Sequence, residues 1–304
     1  MKKTFLINSD QAGSRLDRWF KRVVCNVPQS LLEKNLRKGK IKINNKKNKS
    51  SYKLKKDDLV LIDNLNLKPN TNKINNIKYI ATKTELSSTS KIFIENNSNF
   101  SVINKPAGVS VQSGTKSRRN ILDILSSTKE FSNFSPYAVH RIDKETTGVL
   151  IVAKNRKFAQ LFTSLFRIRK IHKTYLCIVI GEFNNKKGTF IDELIHYEGN
   201  KKIKSKAITH FKVLDSNNRY TLLKLIPQTG RKHQLRKQLL IRGYPVLGDQ
   251  KYGFPGKFTN KKTHLMLHAY KVHFLINDVK HNYSADLPEA FKKFLKEKYL
   301  KIFQ

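Results

Sequence analysis

The chain has 304 residues, room for one large domain or two unequal ones, and its 38% hydrophobic content is enough to bury a core. Its 61 Lys and Arg against 22 Asp and Glu leave a formal net charge of +39, which draws a protein toward polyanions such as nucleic acid. No apolar run reaches the ~18 residues of a membrane span, and the stretch before Asp10 is too brief for a secretory signal, so no membrane attachment is expected.

Two cysteines, Cys25 and Cys177, lie far apart and lack metal-ligand spacing, which fits a reducing, cytoplasmic compartment. Cys177 sits in an apolar run and reads as a buried thiol. Lys, Asn and Ile are abundant throughout, a bias that carries part of the charge.

Residues 1–63 read as a small basic module. Ser14 and Asp17 have the spacing of an N-cap and its third-position partner, ahead of a helix carrying Leu16, Trp19, Phe20 and Val23. Pro28 opens a second helix with Leu31, Leu32 and Leu36, closed by Gly39. Ile41 and Ile43 alternate with lysines as in a half-buried strand. Asn44-Asn45 marks a turn, and Leu59 to Ile62 a last short strand. Residues 64–90, rich in Asn, Lys, Ser and Thr, read as a linker.

Residues 91–304 carry the pattern of a larger domain. Ile92 to Ile94 and Phe100 to Ile103 form paired strands, and Val149 to Ala153 a fully buried one. A helix from Asn155 places Phe158, Leu161, Phe162, Leu165 and Phe166 on one stripe, which is read as core packing. Tyr175 to Ile180 is another strand. Ile208 to Leu214 and Tyr220 to Ile226 flank a hairpin turn at Ser216-Asn217-Asn218. A helix follows Gly230, a strand spans Leu265 to Leu275, and a final helix begins near Pro288. The expected fold class is α+β with a mainly antiparallel sheet.

Two segments carry candidate chemistry. His140 to Val152 places Asp143 in a loop just before a buried strand, with Arg141 two residues earlier and Thr146, Thr147 and Gly148 as turn chemistry after it. A positioned carboxylate serves as nucleophile or base. Pro227 to Arg236 places Arg231, Lys232 and Arg236 after Gly230, in the first turns of a helix, where they suit phosphate or carboxylate. Taken singly, Asp143 is more often a solvated loop residue and the second segment more often a basic exposed helix face. His264 and His268 share the spacing of a metal pair but fall in a strand and lack a third ligand, so no metal is expected.

Together these segments resemble the RluA-type family of RNA pseudouridine synthases. Asn104-Lys105-Pro106-Ala107-Gly108 is similar to the family's NKPxG segment. His140 to Gly148 resembles HRLDxxTSG, with Ile142 for Leu and Thr147 for Ser. Lys173-Thr174-Tyr175 resembles KxY, Thr229 to Arg236 resembles TGRxHQLR, and Gly248 to Gly253 resembles GDxxYG. Where family members often continue with Val-His, this chain has Lys237-Gln238. Arg15-Leu16-Asp17 and Leu36 to Ile41 resemble an S4 RNA-binding domain. The pattern around Val27 to Ser30 and Asn35 to Lys42 is most similar to the subfamily of ribosomal large-subunit synthase C.

The resemblance implies an α+β catalytic domain with a mixed, mainly antiparallel sheet over 91–304, and an S4-like RNA-binding domain over 1–63. It implies isomerisation of uridines to pseudouridine in 23S ribosomal RNA, free or in a large-subunit assembly intermediate, with no cofactor and no metal. Asp143 is implied to be the catalytic nucleophile or base and Arg236 its cationic partner. Tyr175 would stack on the target base, and Arg141 would fill the space of the flipped nucleotide. Residues 109–119, with Ser117-Arg118-Arg119, are a loop expected to touch RNA. A binding-only assembly factor and a tRNA-directed synthase are the competing readings.

Overall fold

A computed structural model describes residues 2–8, 11–63, 79–113, 119–198, 201–253 and 264–302. The hydrophobic residues sort into separate cores, because the chain divides into two units, Met1–Ile77 and Lys78–Gln304.

In the first unit, β1 (Lys2–Leu6), α1 (Leu16–Val23), α2 (Gln29–Arg37), β2 (Ile41–Ile43) and β3 (Leu59–Asp63) follow in order. The strands form an antiparallel sheet with β3 in the middle. Leu16, Trp19 and Phe20 of α1, Leu32 and Leu36 of α2, and Ile41, Ile43 and Val60 of the sheet are buried against one another. The turn after β2 holds Asn44 and Asn45 at φ 49° and 62°, left-handed values that Asn tolerates well.

The cap expected at Ser14 does not form. Arg15 is the N-cap residue, without a side-chain cap. The free amides of the first turn are taken instead by neighbouring carbonyls, Leu16 N–H by Tyr52 and Asp17 N–H by Ser50. Asp17 is thereby released to accept from the Arg15 guanidinium at 2.6 Å.

The linker expected over 64–90 holds only in part as a separate segment. Residues 64–78 lie outside the described residues, but 79–90 carry α3 (Lys83–Thr89), which belongs to the second unit. Thr82 and Glu85 form a reciprocal capping box. The Glu85 carboxylate also accepts from the Tyr79 hydroxyl at 2.7 Å and from Arg119 at 2.6 Å. Polar composition concealed a helix whose polar residues are its caps and tethers. The expected RNA-contacting loop cannot be followed through 114–118, which lie outside the described residues.

The rest of the second unit runs β4 (Phe93–Asn96), β5 (Phe100–Lys105), α4 (Ile121–Leu125), β6 (Tyr137–Ala138), β7 (Thr147–Ala153), α5 (Arg156–Arg167), β8 (His172–Ile180), β9 (Lys187–Glu198), β10 (Lys201–Ser216), β11 (Tyr220–Pro227), α6 (Gln234–Ile241), β12 (Leu267–Ile276), β13 (Val279–Ser284) and α7 (Glu289–Glu297). One mixed sheet has the order β4-β5-β7-β12-β8-β11-β10-β9, with β6 on β7 and β13 on β12. Among the described strands every pairing is antiparallel except β7 with β12. The stripe on α5 packs on one face of this sheet, with Phe162 edge-on to Phe100 and Phe274 at 5.2 and 5.3 Å. Such aromatic pairs add about 0.5–1.5 kcal/mol each beyond the area they bury.

Strand β12 acts as a ruler across the middle of the sheet. Ala269 lies opposite Gly148 of β7 on one side and Tyr175 of β8 on the other. Gly148 has φ +106°, and a Cβ there would overlap the Ala269 carbonyl. Only glycine allows β7 and β12 to meet at this point. Gly148→Ala is expected to destabilise the second unit by roughly 2–4 kcal/mol, from backbone strain plus overlap. Thermal unfolding followed by near-ultraviolet circular dichroism would show a lowered transition for this unit.

Candidate active site

The loop that carries Asp143 leaves β6 and enters β7, and its backbone is held from below by the segment after β5. Lys105 is fully buried, and its ammonium donates to the carbonyls of Pro106, Val109 and Lys144 at 2.7–3.0 Å. Gly108 N–H donates to the same Lys144 carbonyl at 3.0 Å. Burial pushes the Lys105 pKa down to about 7, against the opposing charges of Glu145 and Asp143. The loop closes on itself through Thr146 N–H to the Asp143 carbonyl at 3.1 Å. Thr147 and His268 then fasten the start of β7 to β12 by a 2.8 Å side-chain hydrogen bond. Upstream, the His140 Nε2 accepts from Ile151 N–H at 2.9 Å and its ring stacks on Phe166. Burial lowers its pKa to about 3, so this histidine is a neutral part of the scaffold.

Held in this way, Asp143 lies in a cleft of about 720 Å³ with its side chain one-quarter exposed. Arg236 reaches it from α6, Nη1 donating to Oδ2 at 3.1 Å. The other edge of the same guanidinium forms a fork with Asp249, Nε to Oδ2 and Nη2 to Oδ1, both at 2.7 Å. Asp249 is fully buried and also accepts the amides of Lys251 and Tyr252 at 2.9 Å. Burial raises its pKa, but Arg236 and the two amides outweigh burial and leave it below the ordinary carboxylate value.

Tyr175, on β8, lines the same cleft. Its hydroxyl pKa is pushed up by burial and then by the charge of Asp143. Arg141 is exposed on the rim. The structure therefore brings Asp143, Arg141, Tyr175 and Arg236 together around one cavity. Arg169, Lys173, Arg231 and Lys232 also line it, making its walls cationic.

One expectation for this region is corrected. The helix after Gly230 begins at Gln234, so Arg231 and Lys232 do not occupy its first turns. The Gln234 side chain accepts from Arg231 N–H at 3.0 Å and from the Thr229 hydroxyl at 2.7 Å. These bonds hold residues 229–233 in a turn that ends with His233 at φ 54°. Arg231 and Lys232 project from this turn onto the cleft wall, while Arg236 lies in the first turn of α6, as expected, and is buried.

Four residues around Asp143 were not singled out from the sequence. Asp249 and Tyr252 sit in the Gly248 to Gly253 segment, where Asp after Gly has the look of a turn residue. His233 and Lys105 lie inside recognised segments, but nothing local shows that either would face Asp143 or its loop. Among the described residues no three His, Cys, Asp or Glu side chains gather as a metal-ligand set, and no helix is long and apolar enough to cross a membrane.

The Arg236–Asp249 pair makes a testable contribution to stability. Asp249→Asn leaves a buried guanidinium without its fork and is expected to destabilise the second unit by roughly 2–4 kcal/mol. The Asp249 pKa is lower folded than unfolded, so its contribution is present above pH ~4 and is lost as pH falls through the folded value. Urea unfolding between pH 3 and 7 should show this acid-side loss in the parent protein and a smaller one in the variant.

Comparison with known proteins agrees with this architecture. Residues 99–240 match the family model for RNA pseudouridylate synthase. The ribosomal large subunit pseudouridine synthase C of Buchnera aphidicola subsp. Baizongia pistaciae is 32% identical over 307 residues, covering 95% of both chains. Its namesake from Vibrio parahaemolyticus is 29% identical, covering 81% of this chain and 79% of that protein. Among solved structures, human RNA pseudouridylate synthase domain containing 4 superposes with a TM-score of 0.62 at 24% identity. That match covers 71% of this chain and 96% of the human one, a likeness of fold. With one relative above 30% identity along nearly its whole length, and the matched region enclosing Asp143, Tyr175 and Arg236, the chain belongs to the RNA pseudouridylate synthase family.

Proposed function

We propose that the protein isomerises uridines to pseudouridine in 23S ribosomal RNA, with Asp143 as its catalytic residue. The observation that carries this reading is the Asp143–Arg236 pair, set in a cationic cleft beside Tyr175. Relatives named ribosomal large subunit pseudouridine synthase C support the choice of RNA.

The reaction breaks the C1′–N1 bond of the uridine, turns the base, and joins C1′ to C5. The net proton movement is from C5 to N1. Substrate and product are isomers, so no oxidant or reductant enters the balance. Asp143 acts either by attack at C1′ or by removing a proton at C2′. Arg236 holds Oδ2 of the carboxylate, whose side chain stays one-quarter exposed. Tyr175 offers a ring for the flipped uracil to stack on, a contact worth roughly 1–3 kcal/mol per base. Arg141 stands on the rim, where a guanidinium can occupy the gap left by the flipped nucleotide.

The first unit is read as an S4-like RNA-binding domain. Its α1 and α2 present Arg18, Arg22, Lys34, Arg37 and Lys38 to solvent, a cationic surface suited to phosphates. Contacts of this kind position a protein on RNA by charge and shape, leaving uracil itself to be read in the cleft. One pocket can then serve uridines in more than one sequence context. Ribosomal RNA or a large-subunit assembly intermediate in the cytoplasm is the partner such a surface fits.

Asp143→Asn keeps the size of the side chain and removes its charge. It is expected to abolish detectable turnover on tritiated 23S rRNA while leaving RNA binding nearly unchanged; turnover within tenfold of the parent would overturn the role of Asp143. A binding-only assembly factor would show no turnover in either protein.

Deleting the gene should remove pseudouridine from 23S rRNA at more than one position and leave tRNA unaltered. Chemical mapping of pseudouridine in total RNA from deletion and parent cells is the measurement. Loss confined to tRNA or to small-subunit rRNA would refute the substrate and leave the chemistry standing.

A further inference from the structure

We propose that His233 is a second positioning residue for Asp143, holding the Oδ1 side of the carboxylate while Arg236 holds Oδ2, with Tyr252 selecting which imidazole nitrogen faces the acid. This deepens the reading above and rests on Asp143 being the reacting residue.

The first observation is backbone geometry. His233 has φ 54° and ψ 33°, a left-handed conformation that L-residues other than Asn and Asp seldom adopt. Such conformations persist where the surroundings over-determine them. Here the turn ends at His233 and aims the ring back over the cleft. The second observation is the ring's fastening. Nδ1 lies 2.9 Å from the Tyr252 hydroxyl, with the two rings edge to face at 5.5 Å. When that hydroxyl donates to Nδ1, the imidazole proton resides on Nε2.

The third observation is where Nε2 then points. It lies 3.7 Å from Asp143 Oδ1, just beyond hydrogen-bond distance. A small rotation of either side chain closes the gap. Asp143 is thus bracketed from both sides by residues three apart, His233 ending the turn and Arg236 on α6. The contacts form a closed ring. Asp143 meets Arg236, Arg236 meets Asp249, Asp249 accepts the Tyr252 amide, the Tyr252 hydroxyl meets His233, and His233 returns to Asp143. The Tyr252 ring also lies 5.0 Å beneath the Arg236 guanidinium, so one tyrosine touches both positioning residues.

The groups facing His233 determine its charge. Burial lowers its pKa, the Asp143 carboxylate opposes that, and the cations of Arg236, Lys251 and Lys232 add to the lowering. At neutral pH the ring is therefore a neutral donor and not a second cation beside Arg236. As pH falls through its folded pKa it becomes an imidazolium, a second cation that stabilises the Asp143 charge and weakens the carboxylate as nucleophile or base.

The test uses the full chain with 23S rRNA as substrate, and His233→Asn, His233→Gln and Tyr252→Phe variants. Asn tolerates the left-handed backbone but is too short to reach Asp143, whereas Gln restores a donor near the Nε2 position. His233→Asn is expected to lower kcat by about tenfold to a hundredfold with little change in KM, as misplacement of a reacting group does. His233→Gln should recover most of that loss and no longer show the acid-side fall in kcat that the imidazolium causes. Tyr252→Phe should fall between.

An arm independent of turnover follows the His233 ring by ¹⁵N nuclear magnetic resonance. Asp143→Asn should lower its pKa, and Tyr252→Phe should redistribute the proton between its nitrogens. Parent-like kcat in His233→Asn, or an imidazole titration indifferent to Asp143→Asn, would overturn the proposal. Should the parent protein make no pseudouridine, the functional reading fails by itself, and the imidazole titration alone then supports or overturns the bracket around Asp143.

Discussion

The buried guanidinium of Arg236 joins parts of the chain that are far apart in sequence. One edge engages Asp143, on the loop before β7, and the other engages Asp249, in the turn after α6. A cation taken out of water is tolerated only when its donors are matched, and this one meets two carboxylates. Asp249 is the anchoring partner, fully buried and further satisfied by two backbone amides. Asp143 is the partner left partly exposed, on the wall of the cleft. The two acids thus differ around one arginine: Asp249 is buried and fully paired, and Asp143 reaches the cleft.

The backbone around Asp143 is held as firmly as its side chain. Lys105 and Gly108 both grip the Lys144 carbonyl, so the NKPxG-like segment serves as the floor of the loop. Gly148 presses against Ala269 with no room for a side chain, and Ala269 is also the neighbour of Tyr175. The separation of Asp143 and Tyr175 is therefore set by strand spacing across β12. A site built across neighbouring strands of one sheet takes its geometry from the backbone pairing. The short parallel pairing of β7 with β12 is the local exception in an antiparallel sheet, and it occurs beside the loop that carries Asp143.

Much of this was legible along the chain. The period-two and period-3.6 patterns located most strands and helices, because burial of one face is a local property of sequence. Asp143, Arg236, Tyr175 and Arg141 were marked by the resemblance of whole motifs to a known family. Local reading failed where tertiary contacts supplied what local signals predict. The Ser14 cap was unnecessary because carbonyls of Ser50 and Tyr52 took the helix amides. A polar stretch read as linker became α3 because its Thr and Glu cap a helix tied to Arg119. The turn at 229–233 displaced a helix start because Gln234 folds back on it.

By itself, then, the sequence determined the two hydrophobic cores, the α+β class and the cationic character, which depend on residue type and spacing that the chain displays directly. The resemblance of its motifs to a known family named Asp143, Arg141, Tyr175 and Arg236. Only the tertiary structure decided that Asp249 is the buried counter-charge of Arg236, that His233 faces Asp143 with Tyr252 behind it, and that Lys105 supports the loop from below. Those relations join residues from 13 to 90 positions apart. Their energies come from desolvation and hydrogen-bond geometry, which exist only once the chain has folded.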